Sequence, residues 1–167
     1  MIRGAILAVF VIAVPAPTSA QERSFRVAAG VNAGVAANGD GGLILAARAG
    51  VEMFAFLVPE IQLQYVHWGV VDASAGGGEL SDLAFLVGLR VTTGQHLRPW
   101  LDTHLGVLHE TYKGSASTDD GAVGFEVGCG LEYVWDAGFG AGVHAAVDRF
   151  SRVAAWGDFG ADFLLRF

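Results

Sequence analysis

Cysteine is almost absent. Cys129 is the only one in 167 residues, so no intrachain disulfide can hold the fold and its stability must come from elsewhere. Basic residues are also few. Ten Lys and Arg stand against 17 Asp and Glu, for a formal net charge of -7, which argues against a nucleic-acid partner. Long apolar runs are missing too. Although 53% of the residues are hydrophobic, no window after the first twenty residues is a continuous apolar stretch long enough to cross a bilayer as a helix. What the chain has instead is glycine, 24 residues of it, and a persistent alternation of apolar and polar positions.

The first twenty residues stand apart. MIRGAILAVFVIAVPAPTSA carries one charge, Arg3, then an apolar run from Ala5 to Val14, then Pro15 and Pro17 before a small-residue ending. This reads as a secretory signal peptide over 1–20, with cleavage expected after Ala20. The mature chain, 21–167, is expected to leave the cytoplasm as one domain.

Within that domain the period is two, the repeat of a strand with distinct faces. Phe25, Val27, Ala29, Val31, Ala33 and Val35 alternate with Arg26, Gly30, Asn32 and Gly34. The turn 37–42, Ala-Asn-Gly-Asp-Gly-Gly, is a strong reversal because Asn and Gly accept positive φ at little cost. A second strand is predicted from Leu43 to Phe54 and a third from Pro59, where Pro is tolerated as a first strand residue. After a loop from Val71 to Leu80, a fourth strand carries Leu83 to Thr92 and a fifth Arg98 to Tyr112. A polar loop from Lys113 to Gly121 leads to the sixth, Val123 to Tyr133, and Asp136-Ala137-Gly138 turns the chain into the seventh, from Phe139. The closing strand, Trp156 to Phe167, puts Phe159, Ala161, Phe163, Leu165 and Phe167 on one face and Asp158, Asp162 and Arg166 on the other. Eight strands joined by short connections predict an antiparallel barrel.

Two barrels fit that pattern, a soluble lipocalin-like one with apolar residues inside and a membrane one with them outside. The apolar set holds Phe25, Phe85, Phe125, Phe139, Phe159, Phe163 and Phe167, too bulky for the narrow interior of eight strands, whereas the Gly-rich polar face suits it. The expected fold is therefore all-β, an eight-stranded antiparallel transmembrane β-barrel preceded by a cleaved signal peptide. Both termini then lie in the periplasm. Trp100, Tyr133, Trp135 and Phe167 are expected as an aromatic girdle on that side, with Tyr65, Trp68, Tyr112 and Trp156 as the girdle at the outer side.

The inward set holds Arg26, Arg48, Arg90 and Arg166 against Glu52, Glu60, Asp82, Asp102, Glu126, Glu132, Asp148, Asp158 and Asp162. Pairing strands by their turns places Glu60 opposite Arg90, Arg90 opposite Asp102 and Asp102 opposite Glu132, with Arg90 the only base of that cluster. His144 is expected to face Asp162. A lumen charge network of Glu60, Arg90, Asp102, Glu132, His144 and Asp162 is read as structural, holding the barrel closed, rather than as an ion path. No tight histidine spacing marks a metal site, and no catalytic or cofactor-binding residue is expected. Cys129 falls on the lipid-facing set.

With these features the chain resembles the small outer-membrane β-barrel family that includes the OmpA transmembrane domain and OmpX. The resemblance rests on the signal peptide, the eight alternating strands and the closing strand with Phe159, Ala161, Phe163, Leu165 and Phe167. It implies that this strand is the assembly signal read by the barrel assembly machinery, in the outer membrane of a Gram-negative bacterium. With nothing after Phe167, the peptidoglycan-binding role of full-length OmpA is not expected. The expected function is structural or surface-interacting, with outer-membrane lipids and lipopolysaccharide as partners, the latter through Arg149 and Lys113 at the outer rim. The alternative is a lipid A-modifying barrel of the deacylase kind. The resemblance to that class would require a His-x-Ser pair, and the nearest match here is His109-Glu110-Thr111.

Overall fold

A computed structural model describes residues 24–36, 40–53, 56–71, 78–113, 118–151 and 155–167. The signal peptide and part of the 37–42 turn lie outside the described residues. Eight strands follow in chain order: β1 (Ser24–Ala36), β2 (Gly41–Glu52), β3 (Leu57–Val71), β4 (Gly78–Thr92), β5 (Leu97–Lys113), β6 (Thr118–Val134), β7 (Phe139–Phe150) and β8 (Trp156–Arg166). Each pairs antiparallel with its neighbour, and β1 pairs with β8 to close the barrel. Closure runs to the last residue. The Phe25 amide donates to the Phe167 carbonyl at 3.1 Å and the Phe167 amide to the Phe25 carbonyl at 2.9 Å, which leaves no edge strand to fray or aggregate.

The strands are longer than the apolar alternation predicts. β4 begins at Gly78 rather than near Leu83, and β6 begins at Thr118, paired to Tyr112, where the sequence reads as a polar loop. Backbone pairing needs no apolar side chain. The ladder therefore continues past the level at which alternation stops. β2 runs 41–52 rather than 43–54, and β3 starts at Leu57, with Pro59 as its third residue paired to Leu89. At the other end of the barrel the turns are tight. Gly138 takes φ +83, a conformation that favours glycine, as Trp135 N–H reaches the Phe139 carbonyl at 2.8 Å.

The faces divide as expected. The exposed exterior carries Val31, Leu45, Leu63, Phe85, Leu105, Val127 and Val147, among others, and Phe159, Phe163, Leu165 and Phe167 all point outward, Phe163 being 74% exposed. A continuous apolar exterior of this kind cannot face water across eight strands. Lipid is the solvent that suits it. The aromatic girdles need correcting, however. Tyr65, Tyr133 and Trp135 are exposed, and at the end that carries the termini Trp135 stacks on Phe139 with centroids 4.8 Å apart. Trp68, Trp100 and Trp156 instead point into the lumen, at 5%, 4% and 2% exposure. Each shares the parity of an inward neighbour, Gln64, Asp102 and Asp158 respectively, and strand parity outweighs the general preference of Trp for an interface.

Candidate functional site

The interior has two tiers. Toward the end opposite the termini it is apolar: Ile44, Val66, Trp68, Ala84, Leu86, Leu108, Ala122, Phe150 and Trp156 form one buried cluster. Trp156 is its centre, stacked on Phe150 at 5.4 Å and set edge-on to Trp68 at 5.5 Å. Trp68 is the extra residue of a β-bulge between β3 and β4, and its Nε1–H donates to Asp82 Oδ2 at 2.7 Å. The expectation of a polar interior therefore holds throughout one half of the barrel, while the other half is mostly apolar with Asp82 and Asp148 buried at the level of its tryptophans. A narrow lumen can be filled by side chains of either kind.

The tier nearer the termini is charged and buried. Arg26 grips Glu132 bidentately, at 2.7 and 2.6 Å, and Arg98 pairs with Glu52 at 2.6 Å while Arg166 meets the same Glu52 at 2.9 Å. Arg90 lies with its guanidinium carbon 4.0 Å from the centroid of the Trp100 ring. Its nitrogens reach Glu60 at 3.0 Å, Asp102 at 3.2 Å and Glu132 at 3.7 Å. Glu60, Arg90, Asp102 and Glu132 thus come together, but by side-chain reach rather than by the expected register. Arg90 does pair with Asp102, yet Glu60 pairs with Gly88, Asp102 with Gly128, and Glu132 with Arg98. Arg90 is not the only base of the cluster, because Arg26 and Arg98 both approach Glu132. Arg98 was legible by parity. It shares the face of Asp102 and His104 at the start of β5.

His144 and Asp162 belong to a second group. His144 bridges Asp162, 2.9 Å from Nδ1, and Asp158, 3.2 Å from Nε2, while Asn32 also donates to Asp158 at 3.1 Å. Arg48 joins Asp162, at 3.0 Å, to Gln62, at 2.6 Å, and Gln62 donates onward to Glu126 at 2.6 Å. His104 completes the link between the groups, with Nδ1 3.0 Å from Glu126 and Nε2 3.2 Å from Glu60. All nine inward acids are buried, and Arg26, Arg48, Arg90 and Arg98 with them. Those that pair across the lumen brace strands that are not neighbours in the sheet: Arg26 of β1 holds Glu132 of β6, and Gln62 of β3 holds Glu126 of β6.

On the outer surface, Cys129, His109, Lys113 and Arg149 are exposed, and Thr111 is half-buried. Cys129 stands level with Leu101 and Ala145 on the outward side of the wall.

No protein-family model matches the chain, and no curated protein matches it in sequence. Solved structures do match. Neisserial surface protein A superposes with a TM-score of 0.65 at 13% identity, over 87% of this chain and 97% of its own. Ail, the attachment invasion locus protein of Yersinia pestis, gives 0.60 at 9% identity over 87% and 97%. The outer membrane enzyme PagL gives 0.54 at 15% identity over 83% and 98%. Identities this low bear on architecture and not on activity. The chain has the fold of the small eight-stranded outer-membrane β-barrels, of the OmpA and OmpX kind.

Proposed function

We propose that this chain is a small integral outer-membrane protein of a Gram-negative bacterium, with a closed interior and a structural or surface-interacting role. One observation carries the closed interior: an apolar layer around Trp156 lies across the lumen above a layer of buried side chains braced by ion pairs, so side chains fill both halves. With both termini in the periplasm, the apolar tier faces the outside. Lys113 and Arg149 then stand at the outer rim, where their charges suit the phosphates of lipopolysaccharide. The outward row of Phe159, Phe163, Leu165 and Phe167 fits recognition by the barrel assembly machinery. The reading is non-enzymatic: His109 and Thr111 lie on the strand that best matches a deacylase pair, but the serine that would be the nucleophile is replaced by threonine.

The test is conductance. Purified barrel reconstituted into a planar bilayer is expected to give no single-channel steps. Discrete, reproducible openings would mean that water and ions pass the Trp156 layer and that the lumen is a pore.

A further inference from the structure

Glu60 of β3 and His104 of β5 meet across β4 because the residue between them in the ladder is Gly88. A Cβ there would lie 2.7 Å from the imidazole Cγ of His104, so a side chain at 88 would push the two apart. Asp102 projects from the same face of β5 two residues earlier. One ligand atom from each of Glu60, Asp102 and His104 lies within 4.8 Å of the other two, and all three residues are buried.

The surroundings of this trio are those of metal ligands. Arg90 takes Glu60 through Oε1 and Asp102 through Oδ2, at 3.0 and 3.2 Å. The second oxygens, Glu60 Oε2 and Asp102 Oδ1, are buried without a hydrogen-bond partner among the described residues. His104 Nδ1 lies 3.0 Å from Glu126 Oε1, the other oxygen of that carboxylate being fixed by Gln62 at 2.6 Å, and Nε2 faces Glu60 Oε1 at 3.2 Å. A histidine whose far nitrogen is oriented by a carboxylate, beside carboxylates that are themselves hydrogen-bonded, is the usual outer shell of a protein metal site. The inward acids also outnumber the inward arginines, so a dication enters an interior that is short of positive charge.

We propose that Glu60, Asp102 and His104 bind one divalent transition-metal ion, with zinc the natural probe. Two carboxylate oxygens and one imidazole nitrogen are a borderline donor set that suits such an ion, with the remaining position taken by water. Glu126 and Arg90 are positioning residues. They aim the ligands without touching the ion.

The barrel should be refolded with zinc chloride, dialysed exhaustively against metal-free buffer and assayed for zinc by elemental analysis. The expected result is a single retained zinc per chain in the native sequence. His104→Gln and Asp102→Asn should lower retention at least about tenfold, and Glu126→Gln should weaken affinity by about 10 to 100-fold, as outer-shell losses do. His144→Gln, which alters the other buried histidine, should retain the ion. A native barrel that retains no zinc, or a His104→Gln barrel that retains as much as the native one, would overturn the site; the latter is the result expected of surface binding at His67, His96 or His109. Should His104→Gln fail to fold by heat-modified gel mobility, X-ray absorption of the zinc-loaded native barrel decides instead. One imidazole among oxygen ligands supports the site, and two or more imidazoles or a sulfur overturn it.

Discussion

Arg90→Ala is expected to lower the stability of the folded barrel by about 3 to 5 kcal/mol, the usual cost of removing one partner from a buried ion pair. Arg90 is fully buried and serves three carboxylates. Without it Glu60 keeps only His104, and Asp102 has no cation in contact among the described residues. The Trp100 face also loses the cation that lies against it. Glu132 suffers least, since Arg26 still holds it bidentately. Asp102→Ala should cost clearly less than Arg90→Ala, because it removes one of three acids around a guanidinium that keeps the other two. Glu132→Ala should rival Arg90→Ala, because it leaves Arg26 buried without its bidentate partner. That differs from a cluster with Arg90 as its sole base, in which every acid would be the more dispensable partner. Urea unfolding in lipid, with a chelator present throughout, measures all three. Equal losses for Arg90→Ala and Asp102→Ala would mean that the guanidinium is not the hub.

A second large effect is expected on the outer wall, and it depends on depth. Val127 lies near the middle of β6 and is exposed on the outside, so Val127→Arg should cost about 2 to 4 kcal/mol by placing a guanidinium at the bilayer midplane. Leu97 is equally outward but is the first residue of β5, at the level of the turns that flank the termini. Leu97→Arg should therefore cost only about 0 to 1 kcal/mol, as such residues do near the interface. Both can be read from unfolding titrations in phospholipid vesicles. A barrel solvated by water would make the two substitutions nearly equal, and mild.

The two predictions draw on parts of the structure that were not equally legible. The outer wall follows from alternation alone, because a strand turns successive side chains to opposite faces and the chain keeps this up through all eight strands. Parity also marked Arg98, Trp68, Trp100 and Trp156 as inward. For the three tryptophans it competed with the preference of aromatic rings for a membrane interface, and parity prevailed because each ring fills the lumen beside an inward neighbour. Register was harder. The sequence puts Glu60 opposite Arg90, but the ladder sets Val58 there, and only the length of the arginine side chain restores the contact. The contacts that cross the lumen were not legible at all. Nothing in β3 or β6 indicates that Gln62 will meet Glu126, since these strands are separated by two others and approach only when the barrel closes. The same holds for His104, whose two carboxylates come from different strands, and for the division of the interior into apolar and charged tiers, which depends on how strand ends align around the ring.

Whether the alternating apolar face meets lipid can be measured directly through the lone cysteine. Cys129 is exposed on the outer wall of β6 and is the only thiol in the chain, so a fluorescent maleimide attached there reports one position without any other substitution. In phospholipid vesicles the probe should be quenched by nitroxides carried on the acyl chains and be insensitive to aqueous iodide. Efficient quenching by iodide, with none from the acyl-chain nitroxides, would put that face in water and contradict the membrane barrel.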